Sequence, residues 1–288
     1  MKPMVLDFDR SVGSIPTARV IDLAGWQEAI RFSCSMSQLR ALGSHLQPML
    51  REQQGTVFLG SGDFHHVSLP LIERFAGRGP IDVILFDNHP DNMRFPFGVH
   101  CGSWVRHVTL LPYVRHVQVM GITSADVSTP NALANYLGPL RSGKLSYWCL
   151  EVDIRWAAML GLDHAILRFA TVSAMLDRFA EQRRRSGKEV YLSIDKDVLR
   201  QDVAQTNWDQ GRMRDTELFA AIELLQGQLV GSDITGEVST YRYSSCWKRW
   251  LSALDKQPKI DSARLPILQT QHHALNLSLL ERIARAAK

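Results

Sequence analysis

The stretch Ile81-Asp82-Val83-Ile84-Leu85-Phe86-Asp87-Asn88-His89-Pro90-Asp91 passes from a mostly apolar run into two carboxylates and an imidazole, each two residues from the next. A short apolar run closed by Asp, Asn and Pro reads as a buried strand followed by a turn. Extended backbone places residues i and i+2 on one face. If the strand end stays extended, Asp87, His89 and Asp91 face the same way. Taken alone the set has an ordinary explanation, since Asp, Asn and Pro mark turns and Asp caps helices.

The pattern recurs along the chain. Apolar runs near 55–62, 115–123, 144–153, 189–195 and 229–237 are rich in Val, Ile, Leu, Phe and Tyr and short, so they are expected as strands. Between them HVSLPLIERFAG (66–77), VSAMLDRFAEQRRR (172–185) and DTELFAAIELLQGQ (215–228) carry apolar residues at helical spacing. Alternating strands and helices predict an α/β fold with a mostly parallel sheet covered on both faces. In such a sheet the carboxyl ends of the strands share one edge, and ligands bind there. Polar residues follow several runs: His65 and His66, then Asp87, His89 and Asp91, then Asp195 and Asp197, then Glu237.

Four carboxylates gathered at one edge repel one another and would be forced to take up protons. Two divalent cations would cancel their charge. An oxygen-rich set with one or two imidazoles suits a hard to borderline metal such as manganese. Two such ions could bridge and activate a water as hydroxide. The four cysteines, Cys34, Cys101, Cys149 and Cys246, form no paired pattern, which argues against a structural zinc site and for reduced thiols.

The bulk composition fits this reading. At 288 residues, 45% hydrophobic and 22% charged, without a low-complexity linker or repeat, the chain is expected to form one domain over 1–288. The formal charge is +4, and its densest basic run is Glu181–Lys188, EQRRRSGK. That run reads as the solvated end of a helix closed by Ser-Gly, and it lacks the interleaved aromatics of a nucleic-acid surface. The N-terminus lacks an apolar signal core, and no stretch approaches the roughly 20 apolar residues of a membrane span. A cytoplasmic protein with neither nucleic-acid nor membrane partners is expected. QTQHHALNLSLLERIARAAK (269–288) reads as an amphipathic helix whose His272 and His273 form a solvated start.

The motifs resemble those of the ureohydrolases, the arginase and agmatinase group. DNHPD (87–91) resembles their DAHxD, LSIDKDVL (192–199) their SxDxDxxDP, and GSGDFHHVSLPLI (60–72) their GGDHS segment, in the same order. The likeness spans roughly residues 56–240. It implies a three-layer α/β/α sandwich, two manganese ions per chain (zinc, nickel or iron as alternatives), and cleavage of a C–N bond in a small guanidino or amidino compound. Carried over position by position, the metal ligands are His65, Asp87, His89, Asp91, Asp195 and Asp197, with His66 the runner-up to His65. GVHCGSWVRH resembles a segment holding a proton-transferring histidine, which assigns His100. SDITGEVS resembles a late strand whose glutamate pairs with substrate nitrogens, which assigns Glu237, with Gly236 standing as an insertion. Asp91 joins His100 and Glu237 in the expected catalytic set. An assembly of identical chains would also be in keeping with the family.

The chain departs from the pattern at Leu199-Arg200-Gln201, where the family has Asp-Pro, at Asn88, and at Phe64 before the ligand histidine. TNWDQGRM (206–213) replaces a loop rich in Gly, Thr and Pro, and its Trp208 could shape a pocket. Two further readings stay open at this point. One is a single-zinc deacetylase-like enzyme using Asp87, His89 and Asp195. The other is a metal-binding scaffold of the same fold without catalysis.

Overall fold

A computed structural model describes residues 2–51, 55–254 and 260–288. Eleven strands occur in it: β1 (Met4–Asp7), β2 (Arg19–Asp22), β3 (Ser33–Cys34), β4 (Val57–Ser61), β5 (Ile81–Phe86), β6 (Val99–His100), β7 (Val114–Ile122), β8 (Leu145–Leu150), β9 (Ile166–Phe169), β10 (Val190–Asp195) and β11 (Leu229–Glu237). Nine form one sheet in the order β2-β1-β4-β11-β10-β5-β7-β8-β9, and every neighbouring pair is parallel. The short β3 and β6 pair antiparallel beside it.

Side-chain alternation builds the layers. Ile81, Val83 and Leu85 of β5 enter one core, and Ile84 and Phe86 enter the other. The first core is closed by the helix Met36–Leu50 through Leu39, Leu42 and Leu46. The second is closed by the helices Val172–Ser186, Asp215–Glu223 and Leu265–Ala286. Helix ends follow local chemistry. The hydroxyl of Ser35 accepts from the Gln38 amide, and the Gln38 side chain accepts in return from the Ser35 amide. Gly187 takes φ +53° and ends the helix at 186, as its sequence predicts.

All six expected strands are present. In the large sheet the sequence does not announce β1, β2 and β9, each four residues long, and beside it the two-residue β3 and β6. β2 and β9 lie at the sheet edges, where one side meets water and a continuous apolar run is not needed. The basic run is solvated at Arg184 and Arg185, but Arg183 is buried. Its guanidinium lies 3.3 Å from Asp82 Oδ2 and donates to Gln228 Oε1 at 3.0 Å.

The expected solvated start of the last helix is corrected. The helix begins at Leu265, so His272 lies two turns in and is fully buried. Its Nε2 lies 2.8 Å from the Gln205 carbonyl oxygen. Beneath it Lys196 and Glu237, both without exposure, form an ion pair. Asn276 completes the pair, accepting from Lys196 Nζ at 3.0 Å and donating to Glu237 Oε1 at 2.8 Å. Removing one partner of a buried pair leaves the other charge uncompensated. Lys196→Met is therefore expected to cost about 3–5 kcal/mol in chemical denaturation. Adding Glu237→Gln should restore part of that loss.

Candidate metal centre

The chain leaves β4, crosses to β5, and runs outward through β7, β8 and β9. It then returns to place β10 and β11 in the gap between β4 and β5. The direction of winding thus reverses at β5 and β10, and a crevice opens there at the carboxyl edge. Ile194 pairs with Phe86, so Asp195 and Asp87 leave the sheet side by side. His65 arrives in the 3-10 turn Gly62–Val67 that follows β4.

These residues line a cavity of about 490 Å³. Nδ1 of His65 lies 3.3 Å from Asp87 Oδ2, 3.0 Å from Asp91 Oδ2 and 3.4 Å from Asp195 Oδ2. Nδ1 of His89 lies 3.5 Å from Asp87 Oδ1 and 2.9 Å from Asp197 Oδ2. Two groups of ligand atoms result, His65 with Asp87 and Asp91, and Asp87 with His89 and Asp197. Asp87 belongs to both and offers one oxygen to each side. The structure thus brings together His65, Asp87, His89, Asp91, Asp195 and Asp197, and His100 lines the same cavity.

His66 is buried outside this cavity, beside the Ile30 backbone. Glu237 is not brought to the cavity either. A register shift at the end of β11 turns Gly236, with φ +90°, toward Asp195. A Cβ there would stand 2.4 Å from Asp195 Oδ1. The expected pairing of Glu237 with a substrate therefore has no geometry here, because its carboxylate is sealed against Lys196 below the sheet.

The charges are mutually strained. Burial first, then the neighbouring charge of Asp87, raises Asp91 to about 7. Burial raises Asp195 to about 6, with the charge of His65 pulling the other way. Burial, Asp195 and Asp87 together push Asp197 well above the carboxylate range. Burial resists a charge on His65, but Asp87 and Asp91 outweigh it and raise the imidazole well above its ordinary value. Burial likewise opposes the Asp87 anion, but His65 and His89 hold it below the ordinary range. Asp87 Oδ2 is buried without a hydrogen-bond partner. Such a donor set, with hard oxygens, two imidazoles and excess negative charge, fits one or two divalent cations.

A supporting shell holds the donors. His65 Nε2 lies 3.1 Å from Ser193 Oγ, which donates to Asp233 Oδ1 at 2.7 Å, and Tyr191 donates to Asp233 Oδ2 at 2.6 Å. Trp104 Nε1 donates to Asp91 Oδ2 at 2.6 Å. The Asn88 amide donates to Asp197 Oδ1 at 3.0 Å. Asp209 was not anticipated from the sequence, yet its Oδ1 lies 2.7 Å from His89 Nε2. It sits in a loop without periodicity, so only long-range contact reveals it. Ser193 was readable in principle, being two residues before Asp195 on one strand face. Trp208 lines the cavity and lies parallel to Phe32 at 6.3 Å.

Comparison with known proteins shows the family and the fold. Residues 9–242 match the family model described as "Arginase family". The chain belongs to the arginase family. An uncharacterised protein of Thermotoga maritima is 26% identical over 204 residues, which are 70% of this chain and 65% of the relative's own length. Formimidoylglutamase from Bacillus subtilis superposes with a TM-score of 0.58 at 14% identity, covering 98% of this chain and 87% of that one. Proclavaminate amidino hydrolase from Streptomyces clavuligerus gives 0.53 at 21%, covering 89% and 74%. Agmatine ureohydrolase of Thermoplasma volcanium gives 0.52 at 16%, covering 88% and 68%. At these identities the superpositions establish the arginase-like fold. Among the described residues, no helix is long and apolar enough to cross a membrane.

Two outcomes test the centre. Groups beyond the ligands typically tune metal affinity 10–100-fold. Ser193→Ala should weaken manganese binding by about that factor in a calorimetric titration while the fold persists. The second outcome concerns pH. Asp91, Asp195 and Asp197 bind protons more tightly folded than unfolded, and His65 does so too. In the metal-free protein the cluster's contribution to stability should fall as pH rises from about 4 to 7, because there the folded state binds the excess protons, while the buried His66 and His272 contribute with the opposite sign. Asp87 acts oppositely, but only below its ordinary range. Manganese should therefore raise the melting temperature more at pH 8 than at pH 6; an equal or smaller rise at pH 8 would refute the electrostatic account.

Proposed function

We propose that the chain is a metal-dependent hydrolase that cleaves a C–N bond in a small amidino or guanidino compound. The observation that carries this is the pair of ligand groups sharing Asp87 at the carboxyl edge of the sheet. His65, Asp87 and Asp91 would hold one divalent cation, and Asp87, His89 and Asp197 a second, with Asp195 a further donor beside His65. Manganese suits this set first, and zinc, nickel or iron are the alternatives. When bound, the cations supply a water acidic enough to attack at neutral pH.

The chain's own groups do the rest. Gly102 N–H donates to His100 Nδ1 at 2.9 Å, so the neutral ring carries its proton on Nε2. A protonated His100 would deliver its Nε2 proton to the leaving nitrogen, so that the ring ends neutral and not as an imidazolate. Asp91 takes up the proton lost by the attacking water. The planar amidinium lies against Trp208 and pairs with a wall carboxylate.

Cavity charge selects the substrate. Six aspartates line the cavity, the four of the ligand set with Asp126 and Asp209, and no Lys or Arg is among its lining residues. Two dications offset four carboxylates and leave a negative wall, which favours cationic substrates and repels a substrate carboxylate. Manganese-loaded protein, offered a panel of guanidino and amidino compounds, should release urea, ammonia or an amine. Amine-ended compounds should be turned over with kcat/KM about tenfold or more above carboxylate-ended ones, a gap of about 1.4 kcal/mol. Asp87→Ala should lose metal and turnover together. Turnover that survives in that variant, or none across the panel with about two ions bound, would sink the assignment.

A further inference from the structure

A second cavity of about 790 Å³ lies at the opposite, amino-terminal edge of the sheet, where β11 begins. Its walls come from the helix Met36–Leu50, the segment around the end of the helix Ser68–Glu73, and Leu229 and Val230. Four guanidinium groups line it, those of Arg40, Arg51, Arg74 and Arg78, against one carboxylate, Glu73. Among the described residues, no carboxylate lies within ion-pair distance of Arg40, Arg51 or Arg78. Arg74 and Arg78 stand over one ring, with their guanidinium carbons 4.8 and 5.4 Å from the Phe75 centroid. Two like charges are thus held on one small apolar surface. A Cβ at Gly231 would come 2.7 Å from Phe75 Cζ and 3.0 Å from Arg74 Nη2, so a glycine leaves room for this packing. Ser44 and Gln47 add a hydroxyl and an amide to the wall.

A concave surface lined by one sign of charge focuses its potential and concentrates counter-ions. Guanidinium forks match the paired oxygens of phosphates and carboxylates. The aspartate-lined cavity at the other edge has the opposite sign, so a ligand drawn here is not drawn there. We propose that this arginine-lined cavity binds a small, multiply charged oxyanion, a phosphate ester or a dicarboxylate, as a site separate from the metal centre.

The test is a calorimetric titration of the manganese-loaded full chain at low ionic strength, with inorganic phosphate and separately with succinate. Sodium chloride at matched ionic strength sets the baseline. Saturable binding of one anion per chain is expected. It should weaken at least tenfold in the double variant Arg40→Ser/Arg78→Ser and in Ser44→Glu. All three positions are exposed, so melting temperature and manganese content should stay unchanged. Phosphate binding tighter than succinate would point to a phosphate ester as the ligand, and the reverse to a dicarboxylate. Binding unaltered in both variants would place the anion elsewhere and overturn the proposal. Heat that merely follows ionic strength would reduce the cavity to diffuse screening and overturn it as well.

Discussion

Four buried carboxylates, Asp87, Asp91, Asp195 and Asp197, share one cavity with three histidines, and the rest of the structure is arranged around holding them there. Like charges in a low-dielectric site separate, protonate or bind a cation. Here separation is barred, because the residues hang from adjacent parallel strands whose register is fixed by two apolar cores. The raised proton affinities of Asp91, Asp195 and Asp197 record the strain that remains. A divalent cation held there would relieve it, so the donor set and the fold have to be understood together.

Strand parity divides the work. Along β10, Tyr191, Ser193 and Asp195 face one way and build the path from Asp233 through Ser193 to His65. Lys196 turns the other way, into the ion pair that fastens the last helix to the sheet. One short segment, Asp195-Lys196-Asp197, therefore places two candidate donors above the sheet end and the buried Lys196–Glu237 pair below it. The same rule decides β11, where a register shift gives Gly236 to the metal centre and Glu237 to the anchor.

The molecule is also polarised along its strands. Aspartates gather at the carboxyl edge and arginines at the amino edge, in two separate cavities. A net charge of +4 conceals this, because composition averages over both ends. The second cavity is formed by the helix Met36–Leu50, the segment around the end of the helix Ser68–Glu73 and the start of β11.

The sequence by itself determined the six central strands and the parallel α/β class, and it pointed to the aspartates and to His89 that the structure gathers in one cavity. The reason is local: apolar runs ending in Asp-x-His or Asp-x-Asp carry both the strand and its donor in a few residues. It could not reveal β2 and β9, whose half-exposed edges need no continuous apolar run. Nor could it choose between His65 and His66, since adjacent residues in a 3-10 turn diverge by an angle that only packing fixes. Tertiary structure alone decided that Asp209 meets His89 across 120 positions, that His272 is buried, and that Glu237 serves Lys196 and not the cavity. Each depends on a long-range contact or a one-residue register shift, and neither leaves a periodic trace in the chain.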